Sequence, residues 1–267
     1  MRDLPEAPPL AVEDLTISHR GRPILDGVSF ALNRGELCGL IGANGSGKTT
    51  LLRAILGLAR PDGGQIRFGG GRRGRIGYLP QKVHVDAYMP LRARDVVALG
   101  LDGHRIGLPL PSAQRRARVA AALDAVSAEG FADQRVGTLS GGQQQRVFIA
   151  HALVRAPDVL LLDEPLASLD PSIAAEIAAL LRRISQQMGI AVLLSAHEVN
   201  TLVPVMDKVI YLANRHAVAG LVAEVIRSDV LSRLYGHHID VLNVHGRILV
   251  VTAPDAGAGT AHVTLLP

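Results

Sequence analysis

The sequence holds one cysteine, Cys38, no tryptophan, and aromatic residues at only 3% of its 267 positions. A single thiol excludes an internal disulfide framework and leaves no cysteine cluster for a metal. With aromatics this scarce and apolar residues at 48%, the core must be built from Leu, Val, Ile and Ala, which suits helices packed on a buried parallel sheet. No apolar run approaches the roughly 18 residues that cross a bilayer, and the start MRDLPEAPPL lacks the basic-then-apolar order of a secretory signal. These absences lead to the expectation of a cytoplasmic protein that meets a membrane only through a partner. Long runs of one charge are also missing. Arg72-Arg73-Gly74-Arg75 and Arg115-Arg116 are short, which weighs against a nucleic-acid arm, while the net charge of +4 suits an anionic partner such as a nucleotide.

What is present is a chain long enough for a core that divides into subdomains. Residues 10–30 read as two short strands around the turn Arg20-Gly21-Arg22-Pro23, and 37–41 as a buried strand running into glycines. Helical spacing follows over 49–58. Residues 66–68 and 76–79 read as a strand pair joined by a glycine- and arginine-rich link over 69–74. Between 90 and 152 helical stretches dominate, at 94–99, 114–127 and 142–154. Strands return at 159–162 and 190–194 around an amphipathic helix over 174–188, a second parallel unit. Past Ala213 the pattern weakens to a short helix over 228–235, a strand over 248–251 and a tail rich in Gly, Ala and Thr.

Gly42-Ala43-Asn44-Gly45-Ser46-Gly47-Lys48-Thr49, followed by Thr50, matches the G-x-x-x-x-G-K-[ST] phosphate loop and stands between a strand and a helix. Glycines let backbone N–H groups encircle phosphates, and the helix N-terminus adds a favourable dipole. Lys48 reaches the β and γ phosphates, and Thr49 offers its hydroxyl to Mg2+. A glycine-rich turn with a chance lysine is the plainer reading, and an eight-residue match in this setting argues against it. Val159-Leu160-Leu161-Leu162-Asp163-Glu164 is an apolar strand delivering two acids at its carboxyl end. Asp163 is the magnesium residue, directly or through water, and Glu164 is free to polarise the attacking water. By themselves two acids after a strand only open a loop; a phosphate loop upstream changes that balance.

Leu139-Ser140-Gly141-Gly142-Gln143 decides between P-loop families. Ser140 is an N-cap, the glycines expose N–H groups, and the helix presents its positive end to an anion. Here the chain resembles the ABC ATPases, whose hallmark is LSGGQ before the magnesium-binding strand. By that resemblance Gln81 senses the γ phosphate and Mg2+, Ser168-Leu169-Asp170 is the D-loop, and His197 is the switch histidine. The family's adenine-stacking aromatic is replaced by His19, which either stacks with less area or is a turn residue. The implied fold is α/β: a P-loop NTPase (RecA-like) core with a mainly parallel sheet, an N-terminal antiparallel β region and an inserted α-helical subdomain. The core would span 1–82 and 153–225, the helical signature subdomain 83–152, and a C-terminal extension 226–267.

The resemblance also implies a homodimer in which Ser140, Gly141, Gly142, Gln143 and Asp170 act in trans on ATP held by the other copy. Its partners would be two copies of an integral membrane permease at the cytoplasmic face of the inner membrane and, indirectly, an extracytoplasmic solute-binding protein. Catalysis would rest on Lys48, Gln81, Glu164 and His197, and Mg2+ on Thr49, Gln81 and Asp163. Residues 82–97 would touch the permease. Met89-Pro90-Leu91-Arg92-Ala93-Arg94-Asp95, together with Val230-Leu231-Ser232-Arg233-Leu234-Tyr235-Gly236 and residues 241–251, is similar to metal-ion and metal-chelate importers. The favoured cargo is a transition metal ion of the zinc or manganese type; the alternatives are siderophore, haem or cobalamin import. His237, His238 and His245 read as scattered exposed histidines, because no Cys or carboxylate completes a site. A soluble ABC ATPase acting on nucleic acid or ribosomes lacks support from paired sites or coiled-coil insertions, and a P-loop kinase or GTPase leaves LSGGQ and His197 unexplained.

Overall fold

The computed structural model describes residues 7–69, 75–81, 83, 86, 88–102, 112–197, 199–244 and 247–252. Most of the glycine- and arginine-rich link, His245 and the tail beyond 252 lie outside the described residues.

The N-terminal hairpin joins β1 (Leu10–His19) to β2 (Arg22–Leu32) through Arg20 and Gly21, both at positive φ (51° and 73°). A two-residue turn of that hand matches the right-handed twist of paired strands. β3 (Leu37–Ile41) is buried at every position and runs into α1 (Lys48–Ile55). β4 (Gly63–Phe68) then returns to β1, pairing Leu10 with Phe68, and completes a three-stranded antiparallel sheet in the order β2-β1-β4.

β5 (Ile76–Leu79) does not pair with β4, so the expected strand pair over 66–68 and 76–79 is replaced by two strands in different sheets. Apolar alternation marks a strand without naming its partner. Ile66 and Phe68 settle against the core shared by β1 and β2, while β5 lies parallel to β6 (Val159–Leu162), with Ile76 opposite Val159.

Among the described residues three α-helices lie between those strands: α2 (Ala93–Asp102), α3 (Ala113–Ala125) and α4 (Gly141–Leu153). Each begins where a side chain stops the backbone running on unpaired. Ser112 accepts the Arg115 N–H at 3.0 Å, and Ser140 with Gln143 forms a reciprocal capping box on α4. Gly100 allows α2 to cross α4 closely, since a Cβ there would stand 2.5 Å from the His151 carbonyl oxygen.

After β6, α5 (Pro171–Met188) carries Pro171 in its first turn and ends at Gly189 in the left-handed conformation. It buries Ala174, Ile177, Ala178, Leu181 and Ile184, a stripe at helical spacing. β7 (Ala191–Ala196), β8 (Lys208–Ala213) and β9 (His216–Leu221) complete a six-stranded sheet in the order β5-β6-β7-β3-β8-β9, parallel except for β9. β9 escapes the sequence reading because His-Ala-Val-Ala-Gly-Leu is made of small residues with little contrast between its faces. The last elements among the described residues are α6 (Val222–Val225), α7 (Ser228–Tyr235) and the hairpin β10 (Ile239–Val244) with β11 (Arg247–Thr252). Ser232 ties α7 to β10 by accepting the Ile239 N–H at 2.9 Å.

Burial on α4 pushes the His151 imidazole below its ordinary value of 6.5. The unfolded chain therefore binds the proton more readily than the fold. Stability is complete above the unfolded value and falls as pH drops through it. Denaturant titrations between pH 7.5 and about 5.5 are expected to show this loss, and His151→Gln to lack the part that His151 contributes.

Candidate active site

The parallel register aligns the carboxyl ends of three central strands. Ile41 pairs with Ala196 and Leu162 with Leu194, so the residues that follow them share one edge of the sheet. Gly42 begins the loop after β3, Asp163 and Glu164 follow β6, His197 follows β7, and Gln81 lies two residues past β5. Ligands collect at that edge in sheets of this kind.

The phosphate-loop backbone turns into α1 at Gly47, whose φ of 106° is open to glycine alone in practice; a Cβ there would also meet Leu25 Cδ2 at 2.7 Å. The N-terminal N–H groups of α1 thus face the loop's interior. Lys48 is only 5% exposed, and its ammonium donates to the carbonyls of Gly42 at 2.5 Å and Ala43 at 3.2 Å. Burial holds its pKa below the usual lysine value, opposed by the charges of Glu164 and Asp163.

Ser195 organises the acids. This fully buried serine donates its hydroxyl to Asp163 Oδ1 at 2.7 Å and accepts the Glu164 N–H at 2.8 Å. Asp163 is 3% exposed, with Oδ2 3.5 Å from the Thr49 hydroxyl. Glu164 sits at φ 51°, a left-handed conformation costing a non-glycine residue on the order of 1–3 kcal/mol. Both its carboxylate oxygens are held: Oε1 lies 2.6 Å from His197 Nε2, and Oε2 accepts from Gln81 Nε2 at 2.5 Å. The far ring nitrogen of His197, Nδ1, is buried with no partner among the described residues.

These groups border a cleft of about 700 Å³ lined by Ala43 through Thr50, Gln81 and Glu164, and further along by Pro23, Ile24, Leu212 to Arg215 and Tyr235. A larger hollow of about 860 Å³ between the end of α1 and β4 presents neither carboxylate nor hydroxyl. Its polar side chains are those of Arg60, Gln65 and Arg67. Of the sequence-predicted residues, Asp163 stands behind Thr49, and His197 reaches the cleft through Glu164. His19, exposed at the end of β1, does not line the cleft, and neither do Ser140, Gly141, Gly142, Gln143 and Asp170. Gly141 and Gly142 instead approach Leu169 and Ile173, where a Cβ on Gly142 would be 2.7 Å from Ile173 Cγ2.

Sequence reasoning passed over Ser195, Asn214, Arg215 and Tyr235. Ser195 had a signal, as the one polar side chain inside the apolar run of β7, because a buried hydroxyl must find partners. The other three carry no local pattern. His238 pairs with Asp240 at 3.1 Å, and among the described residues no group of three His, Cys, Asp or Glu side chains is disposed to hold a metal ion.

A strand, a glycine loop and a helix beside an acid-tipped parallel strand define a P-loop nucleoside triphosphatase. Comparison with known proteins narrows that class. A family model described as ABC transporter matches residues 25–167, and the chain belongs to that family as an ATP-binding ATPase component. The zinc import ATP-binding protein ZnuC of Pseudomonas fluorescens (strain Pf-5) is 34% identical over 95% of both chains. The manganese transport system ATP-binding protein MntB of Bacillus subtilis is 35% identical over 88% of this chain and 95% of its own. Among solved structures, cbiO1 of Clostridium perfringens, part of the ABC transporter complex cbiONQ, superposes with a TM-score of 0.72 at 30% identity, covering 85% of this chain and 94% of that one. No helix among the described residues is long and apolar enough to cross a membrane.

Ser195→Ala strips a buried partner from both Asp163 and Glu164, at about 1–3 kcal/mol for such a group. The expected outcome is a lower melting temperature together with ATP turnover reduced roughly tenfold, while nucleotide affinity is retained. Thermal melts, steady-state phosphate release and equilibrium binding check the three parts.

Proposed function

We propose that this chain hydrolyses ATP to ADP and phosphate in the phosphate-loop cleft, as one half of a homodimer that drives import of a zinc or manganese ion through two copies of a membrane permease. The observation that carries the chemistry is the double clamp on Glu164 by Gln81 and His197, at the edge where the phosphate loop opens. The N–H groups of Gly45 to Thr49, the positive end of α1 and Lys48 hold the phosphates. Glu164, with both oxygens fixed, orients a water in line with the γ phosphorus, and His197 steadies that carboxylate. Thr49 Oγ1, Asp163 Oδ2 and the amide oxygen of Gln81 are hard oxygen donors that fit Mg2+. When bound, the ion supplies positive charge to the β and γ phosphate oxygens.

The assembly reading rests on where the signature segment lies. Ser140 and Gly141 are exposed at the start of a 13-residue helix and stay off the chain's own cleft. That N-terminus is free to cover the nucleotide of a second copy, with Asp170 beside it. Residues 83–152 serve as the helical unit on a core of 1–82 and 153–225, with 226–267 as an extension. After the Gln81 hinge, Val83 and Tyr88 are 40% and 91% exposed. Apolar side chains held out beyond the hinge suit a permease helix, which would place the chain at the cytoplasmic membrane face, with a solute-binding protein on the other side.

Glu164→Gln is expected to bind ATP, fall at least about a hundredfold in turnover, and accumulate as a dimer in size-exclusion chromatography with ATP. A variant hydrolysing at the wild-type rate removes Glu164 from its role. The metal assignment draws on the zinc and manganese systems named above. In cells lacking this chain, growth under chelator should recover with excess zinc or manganese and with the wild-type gene, but not with the Glu164→Gln gene. Recovery only with a siderophore, haem or cobalamin would reassign the cargo.

A further inference from the structure

The phosphate end of the cleft is accounted for by Gly45 to Thr49, which leaves the nucleoside end to the rest of the lining. That wall comes from Pro23 and Ile24 on β2, Leu212 to Arg215 at the β8–β9 turn, and Tyr235, the last residue of α7. Among the described residues Tyr235 is the sole aromatic ring in the lining, and His19 is absent from it.

Several contacts hold that ring in place. It makes a T-shaped contact with buried Tyr211, with centroids 6.1 Å apart and planes at 68°, and a similar contact with His237 at 5.7 Å. Asn214 Nδ2 donates to the carbonyls of Leu234 and Tyr235 at 3.3 and 2.6 Å, closing the C-terminal end of α7 with a side chain from the turn. Asn214 and Arg215 both hold positive φ (48° and 75°), and for arginine that backbone is strained. The same turn is fixed to β2, because the Asp26 N–H donates to the Arg215 carbonyl at 2.9 Å and His216 Nδ1 lies 3.1 Å from the Asp26 carbonyl. β2, the turn and α7 thus form one braced wall.

We propose that Tyr235 contacts the nucleoside of the bound nucleotide, so that the C-terminal extension supplies a wall of the ATP site. A half-buried ring braced from two sides loses little freedom on binding and offers a flat apolar face suited to a base or ribose. The β10–β11 hairpin of this extension is fastened to the switch segment. Asn200, three residues past His197, donates to the Ile248 carbonyl at 3.0 Å and accepts the Ile248 N–H at 2.7 Å. One unit therefore spans from the nucleoside wall to the segment carrying the histidine that holds Glu164.

The inference rests on the phosphate-loop cleft being the nucleotide site, and the test separates the two. In the full chain, Tyr235→Leu keeps apolar bulk against Tyr211 but removes the ring; calorimetry should show ADP binding weakened roughly tenfold and inorganic tripolyphosphate binding unchanged. The sequence has no tryptophan, so Tyr235→Trp provides a lone reporter that works even if the leucine variant fails to fold. Its emission should change on saturation with ADP and stay unchanged with tripolyphosphate. Indifference of that emission to ADP overturns the proposal, as does an equal loss of ADP and tripolyphosphate affinity in Tyr235→Leu. Lys48→Ala should abolish binding of both ligands; if it binds ADP as tightly as the wild type, the cleft reading itself has failed.

Discussion

The parallel pairing of β6, β7 and β3 is the constraint on which the rest of the molecule depends. These strands are apolar throughout their buried lengths except for Ser195, and their carboxyl ends stand in register. A phosphate loop, two acids and a histidine are spread over more than a hundred residues of sequence, and no local interaction could collect them. Backbone hydrogen bonding between buried strands does so. Ser195 then converts that alignment into a site, because a single hydroxyl joins the Asp163 carboxylate to the Glu164 backbone and holds the latter in a conformation it would not otherwise keep.

Around this sheet the core packs in two apolar clusters. The two apolar clusters on its faces tie β1, β2, β4 and α1 on one side to α2, α4 and α5 on the other. Gln81 follows the end of β5 and touches Glu164. Further along the chain, Tyr235 joins the cleft lining and Ile248 is hydrogen-bonded to Asn200.

Most residues of the candidate site were legible in the sequence because the motifs that hold them are local. A phosphate loop needs glycines at fixed spacing, a cap needs Ser140 three residues before Gln143, and an acid-tipped apolar strand is written in six consecutive letters. Strand β3 and helix α7 were readable to the residue for the same reason. Strand partnership was not readable: residues 66–68 and 76–79 look alike in isolation and belong to different sheets. β9 was invisible, since small residues on both faces leave no periodicity to detect.

By itself the sequence determined the class of chemistry, since Lys48, Thr49, Asp163 and Glu164 can be assigned from adjacent residues and backbone geometry follows from glycine placement. Only the tertiary structure decided how those groups are held. Ser195, Gln81 and His197 reach Glu164 and Asp163 across separate strands, and Tyr235 comes to the cleft from the far end of the chain while His19 does not. The physical reason is that a hydrogen-bond partner or an aromatic wall is chosen by proximity in the packed state, and proximity between distant segments is set by strand order and core packing, which no short stretch of sequence encodes.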